Sequence, residues 1–415
     1  MINRDRLAQT FKQLVSIDSI SKDEEAVCCE IRKILKSMGA KTVVDNAGNK
    51  TESNTGNLIA KFDGNRLNES SQIEPLLFNA HMDTVEPGRG INVIFNDGIF
   101  TSSGSTILGA DDKSAIAILL ETMRTLWEND LLHCPIEIVF TICEEIGLLG
   151  AKNLDYSLIT AKCGYVLDAT DTEGIVTRAP TANRIEFKIH GKDAHAGANP
   201  EDGINAISIA SRAIAGLNIG RIDSETTCNI GIIEGGVAIN IVPNLVTVKG
   251  EVRSHNAEKL DKITNEIVSS FKNAVEPQKR ALTPQLAAGL ASESENSKLP
   301  YGRCEELPNY TNSLEDKLPD LEVFVDKEFL STNIAADHPV VLLAQKAAAN
   351  LGTKMVAKTT GGGSDANIFF EKGIITGVLG TGMHDMHTVR ESIRLDDMVK
   401  TVELLLEIIR VHSRG

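Results

Sequence analysis

Aromatic residues are scarce in this chain of 415 residues: one Trp, four Tyr and 12 Phe amount to 4%. Its cores must therefore be mostly aliphatic. Positive charge is also in deficit, with 42 Lys and Arg against 57 Asp and Glu and a formal net charge of −15. That argues against a nucleic-acid partner, because phosphate binding needs clustered Lys and Arg. No segment approaches the ~20 consecutive apolar residues of a membrane span, and the opening stretch MINRDRLAQTFKQLVSI has no apolar run of signal-peptide length. The seven cysteines (Cys28, Cys29, Cys134, Cys143, Cys163, Cys228, Cys304) are odd in number and scattered, with no C-x-x-C pair. They read as reduced thiols, mostly core packing, in a cytoplasmic protein. No internal repeat is visible.

What is present is a globular composition, 42% hydrophobic and 24% charged, at a length that suggests two or three domains. Up to about residue 180, helix and strand signals alternate, which predicts an α/β protein with a mostly parallel sheet sandwiched by helices. RDRLAQTFKQLVSI and DEEAVCCEIRKILKSMG predict amphipathic helices, the second ended by Gly39. GNLIAKFDG and PLLFNA predict strands, and a long helix is expected from about Asp111 to Trp127 with Ile116, Leu119, Leu120 and Met123 on one face. IEIVFTI and GYVLDA are short apolar runs suited to strands buried on both faces. From about Asn183 the order becomes βαββαβ, an α+β sandwich with helices on one face. Residues 281–319, rich in Pro, Ser, Glu and Asn, read as an insertion or mobile loop. After Asp337 the α/β pattern returns with a helix, the glycines 361–363, the strand IITGVLG and a last helix from Asp396. The expected domains are 1–182 with 333–415, carrying the chemistry, and 183–332 inserted between them.

Acids and histidines fall where these strands end. His81 and Asp83 follow PLLFNA, Asp111 and Asp112 open a helix after ILGA, Glu144 and Glu145 follow IEIVFTI, and Asp168 ends GYVLD. Open α/β sheets bind ligands at the carboxyl ends of their strands. Each cluster alone has a plain alternative: turn polarity for H-x-D, a helix cap for Asp111–Asp112, a solvated turn for Glu144–Glu145, an Asx turn for Asp168. Four acidic clusters on one edge would repel one another unless a cation neutralised them. Carboxylates and imidazoles without thiolates suit Zn, Co or Mn better than a structural cysteine site. In extended chain His81 and Asp83 face the same way, so Asp83 can orient the ring; Glu144 and Glu145 face opposite ways, so one can ligate while the other meets a water. The glycines of GGGSDA lack the Lys of a phosphate loop and any G-x-G-x-x-G.

NAHMDTVEPG, TILGADDKSAIA, TICEEIGLLGA, YVLDA and MHDMHTVRESI resemble, in order and spacing, the five motifs of the M20 metallopeptidase family, most of all its peptidase T-like branch. The resemblance implies two divalent ions, with Zn first and Co or Mn as alternatives. Asp111 would bridge them, His81 and Asp168 would serve one, and Glu145 and His387 the other; a cis peptide would follow Asp111. Glu144 would be the general base and Asp83 the support of His81. His387 is preferred over His384 because HTVRE matches the last motif. His133, His190, His255, His338 and His412 are left as structural or surface residues. The inserted domain resembles the family's lid and dimerisation domain, implying a homodimer in which His195 stabilises the oxyanion, often from the partner subunit. Asn240 and Arg253, with backbone at Gly362 and Gly363, would bind substrate. The implied reaction is exopeptidase cleavage, most simply of the N-terminal residue of a di- or tripeptide. A carboxypeptidase or an N-acyl or N-carbamoyl amino-acid amidohydrolase shares the ligand set; an inactive scaffold would have lost a ligand or the base, and none is lost.

Overall fold

The computed structural model describes residues 2–65, 73–293 and 318–414, with 277–293 described through their backbone alone. The chain forms two units, Met1–Ala179 with Leu330–Gly415, and Pro180–Phe329.

The apolar runs of the first unit make the centre of its sheet. Leu76–His81 and Ile136–Thr141 are buried at every residue, as a parallel strand covered by helices on both faces must be. They lie parallel to each other, Leu76–His81 pairs parallel with Cys163–Ala169, and that strand pairs parallel with Ile375–Gly380. The flanks turn antiparallel, through Leu58–Phe62 and Lys41–Val44 on one side and through Gly174–Ala179 and Thr332–Asn333 on the other. The α/β expectation with a mostly parallel centre thus holds.

The helices form where caps and periodicity agree. Arg4–Val15 starts at Asn3, whose side chain accepts the Arg6 N–H, with Asp5 in its first turn and Lys12 in its last. It packs on Ala110–Glu128, which differs from its expected single apolar face: the residues of nearly every turn are buried, Glu121 among them. Glu121 tolerates burial because Arg6 Nε and Nη2 and the Asn3 N–H reach it at 2.7–2.8 Å. Leu395–Arg414 closes the same core.

A small sheet, unforeseen in the sequence, links distant segments of this unit. Val93–Asn96 and Ile99–Ser102 form a hairpin through Asp97 and Gly98, both at positive φ (48° and 77°), and Ser392–Arg394 and Met383–His384 add to it. The Asn-Asp-Gly sequence between alternating apolar residues is a hairpin signal. The sheet fixes the segment on which His387 lies.

The second unit is an antiparallel sheet in the order Gly220–Arg221, Thr226–Gly235, Leu245–Ser254, Thr181–His190, Asp320–Phe329. Alternation along Thr181–His190 buries Ile185, Phe187 and Ile189 beneath the helices Ala206–Ala215 and Ala257–Glu293. Phe187 and Phe271 stack at 3.8 Å between ring centres. One expectation is corrected here. The helix Ala257–Glu293 continues in its backbone into the stretch 281–319 read as an insertion or mobile loop. Ala281, Leu282, Gln285, Leu286, Ala287 and Ala288 are good helix formers. Residues 294–317 of that stretch lie outside the described residues.

Candidate metal centre

Parallel pairing places the carboxyl ends of three strands at one edge, with His81 opposite Thr141 in register. Asp111 enters from the start of the helix Ala110–Glu128. Gly109 caps that helix at φ 73° with no side-chain bond, and Asp111 and Asp112 have non-helical backbone joined by a cis peptide.

The Asp111 carboxylate divides its two oxygens between two imidazoles. Oδ1 is 3.1 Å from His81 Nε2, and Oδ2 is 3.2 Å from His387 Nε2. His387 Nε2 also stands 3.1 Å from Glu145. His81 Nδ1 donates to the Asp83 carbonyl at 2.9 Å, which leaves Nε2 to face Asp111. One donor atom each from His81, Asp111 and Glu145 lie within 4.8 Å of one another.

Around this group the charge is unbalanced. Burial raises Asp168 far above the usual carboxylate range, with Asp111 and Glu145 pushing the same way. Burial does the same to Glu144, aided by Asp168, Asp365 and Glu145, and it raises Glu145 too. Asp365 is pushed by burial to about 6. Burial would lower His81, yet Asp111 and Asp83 hold it well above its ordinary value, and Asp111 and Glu145 lift His387 to about 10. Asp111 goes down despite burial, because both imidazoles face it. Among the described residues no Lys or Arg pairs with Asp111, Glu144, Glu145, Asp168 or Asp365. Two like charges about 4 Å apart cost about 4 kcal/mol even at an effective dielectric of 20, so so many carboxylates call for cations. The donor set, carboxylate and imidazole, fits divalent metal.

Asp83 has more partners than the ring of His81. Its carboxylate lies 3.5 Å from His81 Nδ1, and the ring's closer bond goes to its carbonyl. The carboxylate oxygens also accept the Glu144 N–H at 2.9 Å, the Glu145 N–H at 3.2 Å and the Ser21 hydroxyl at 2.7 Å. The backbone at Glu144–Glu145 is not extended. Cys143 has φ 52°, the Gly147 and Leu148 N–H groups bond back to the Glu144 carbonyl, and the buried Glu24 accepts the Cys143 N–H at 2.9 Å. A turn held by two buried carboxylates, rather than strand alternation, sets the two glutamates apart. Sequence reading gave no role to Glu24 or Asp365. The acid one residue beyond the glycines of GGGSDA was a usable signal for Asp365; Glu24, in an ordinary helix start, carried none.

The second unit holds its own group. His195 is exposed, and its Nδ1 accepts the N–H groups of Gly197 and Ala198, both at 3.1 Å. A neutral ring therefore carries its proton on Nε2. Asn240 is adjacent, its carbonyl accepting the Ala196 N–H at 2.9 Å. Arg253 is partly buried and grips Glu251 through Nε and Nη2 at 3.1 and 2.9 Å. In the first unit Gly362 donates its N–H to Thr360 Oγ1 at 3.1 Å, and Gly363 precedes the capping box of Ser364 and Asn367. His384 is exposed on its short strand. The described cysteines are all free.

Comparison with known proteins adds the following. The profile of the peptidase dimerisation domain matches residues 181–279, and that of peptidase family M28 matches 57–182. The Bacillus subtilis (strain 168) protein YqjE is 36% identical over the whole of both chains. Aminopeptidase PepT from Bacillus cereus ATCC 10987 superposes with a TM-score of 0.78 at 35% identity, and a tripeptidase from Staphylococcus aureus Mu50 with 0.81 at 32%, each over 100% of both chains. At 16% identity and a TM-score of 0.63, Bacillus subtilis YxeP, a dinuclear metal binding peptidase from the M20 family, shares the fold over 98% of each chain.

Proposed function

Since the chain belongs to the M20 peptidases, in a peptidase T-like branch, and is a peptide-bond hydrolase, we propose that it is an aminopeptidase that removes the N-terminal residue of di- and tripeptides with two divalent metal ions. The observation that carries this reading is Asp111, with one oxygen toward each of two imidazoles at 3.1 and 3.2 Å. Asp111 would be shared by both ions, His81 and Asp168 would complete one, and Glu145 and His387 the other. Zn suits the donors best, with Co or Mn as alternatives. Such a pair of cations acidifies a water and polarises an amide carbonyl.

The chain's own groups do the rest. Glu144, its backbone fixed by Asp83, takes the proton of the attacking water and hands it to the leaving amine. Burial raises its proton affinity, with the carboxylates of Asp168, Asp365 and Glu145 adding to it. His195, from the partner subunit of a homodimer, donates through Nε2 to the developing oxyanion. Asn240, the backbone at Gly362 and Gly363, and Arg253 hold the peptide; Arg253 exchanges Glu251 for the substrate carboxylate. The dimer is supported by the dimerisation-domain match and by exposed Ile232, Ile233, Val237 and Ile239 in that unit.

The test is metal analysis of the purified chain together with a panel of tripeptides, N-blocked peptides and N-acetyl amino acids. Two ions per chain, loss of hydrolysis on chelation with return on adding metal, and a requirement for a free amino terminus are expected. Hydrolysis that survives exhaustive chelation would overturn the metal reading. Cleavage of blocked substrates alone would make the protein a carboxypeptidase or deacylase.

A further inference from the structure

The last motif supplies more than His387. Glu391, four residues on and 1% exposed, reaches the loop that carries Asp111. Its Oε2 accepts the N–H groups of Leu108 and Gly109, both at 2.7 Å, and its Oε1 accepts the Asp111 N–H at 3.0 Å. Three backbone donors thus converge on a single carboxylate from across the sequence.

These donors begin the helix Ala110–Glu128, where N–H groups have no helical acceptor and the helix end favours negative charge. Gly109 offers no side-chain cap, and Asp111 (φ −81°, ψ 101°) and Asp112 (φ −121°, ψ 23°) are outside the helical region. Nothing in the helix itself holds Asp111 in place. Glu391 does, and it is anchored in turn. Its N–H donates to the Thr388 carbonyl at 3.1 Å, and the next residue enters the strand Ser392–Arg394 paired with Ile99–Ser102. The fully buried Lys113 gives its Nζ to the Ile17 carbonyl at 2.6 Å. The carboxylate's acceptors are therefore spent on the loop.

We propose that Glu391 is a positioning residue for metal: by clamping the Leu108–Asp111 backbone from the segment that bears His387, it fixes Asp111 midway between His81 and His387. One stretch of chain would then set both a terminal ligand and the orientation of the shared one. The inference rests on the two-metal reading above. An amide cannot replace the carboxylate. It has one accepting oxygen, and its NH₂ would face a backbone N–H.

The experiment strips metal from the full-length protein and titrates it with Zn²⁺ by calorimetry and chelator competition. Wild type, Glu391→Gln and the melting temperature of each metal-free form are measured. Glu391→Gln should raise the dissociation constant of at least one ion about 10- to 100-fold, as loss of a ligand's supporting partner does. Its hydrolysis at limiting Zn²⁺ should fall in step and climb back at saturating Zn²⁺. Affinities within about twofold of wild type, with only the melting temperature reduced, would make Glu391 structural and overturn the inference while leaving the metal reading intact. A wild type that takes up no Zn²⁺ overturns both. If Glu391→Gln does not accumulate folded, Glu391→Asp, which keeps the charge but shortens the reach, is judged by the same affinities.

Discussion

Glu144 and Glu145 are neighbours in the chain with separate tasks. The Glu145 carboxylate meets His387 Nε2 at 3.1 Å, whereas Glu144 is assigned to proton transfer. Replacing Glu144 by Gln keeps its volume and leaves His81, Asp111, Glu145, Asp168 and His387 untouched. Metal content should stay near that of wild type while kcat falls by about two to four orders of magnitude, the usual worth of a general base. Parallel elemental analysis and steady-state rates on one preparation check this. Retained turnover would remove Glu144 from the role, and lost metal would make it a ligand. The clustering of these residues was legible in the sequence, because four groups of acids and histidines coincide with strand ends and a helix start, although each alone has a plainer reading. The second task of Asp83 was not. Its oxygens bond the N–H groups of Glu144 and Glu145, and where those amides sit is decided by a turn that composition does not encode.

Among the strands, Ile136–Thr141 shows how a buried acid can hold an element in register. Glu137 is 3% exposed on a strand read from its apolar run, yet it is fully engaged. Lys61 Nζ reaches it at 2.7 Å, the Thr160 N–H at 2.8 Å, the Ala161 N–H at 3.0 Å and the Thr160 hydroxyl at 2.7 Å. Burial alone would raise its pKa; the lysine and the backbone donors bring it below the ordinary glutamate value of 4.5. A depressed carboxyl contributes stability that is present above its unfolded pKa and lost as pH falls through the folded one. Glu137→Gln should therefore destabilise by about 1–3 kcal/mol at pH 7, and the gap from wild type should narrow below about pH 4.5. Urea unfolding at pH 7 and pH 4 measures both, and a gap that does not change with pH would refute the assignment. Strands as continuous as this one declare themselves in sequence. Gly174–Ala179, which lies at the sheet's flank, did not, since its pairings with Thr332–Asn333, Val356–Thr359 and Ile375–Gly380 make it a strand. The hairpin at Asp97–Gly98 carries its signal in turn chemistry rather than in an apolar run, since its strands are only four residues each.

In the whole molecule, the proposed chemistry is divided between two units of one chain, with the candidate metal ligands in the first and His195 in the second. The change of pattern near Asn183 made that division visible, but nothing in a sequence tells whether a histidine serves its own subunit or another. A dimer in which it serves the partner makes a distinctive demand on mixed subunits. Glu144→Gln and His195→Ala should each be nearly inactive alone, and the second should keep its metal. In a heterodimer of the two, the subunit with His195→Ala keeps Glu144 and receives an intact His195 from its partner. That site works, while the other has lost both groups. Random pairing makes half the dimers mixed with one working site in two, so co-expression should restore about a quarter of wild-type activity per site. Light scattering should at the same time give twice the chain mass of 44.8 kDa. Mixed dimers of that mass with no recovered activity would confine His195 to its own subunit or remove it from the reaction, and a monomer would remove the shared site altogether.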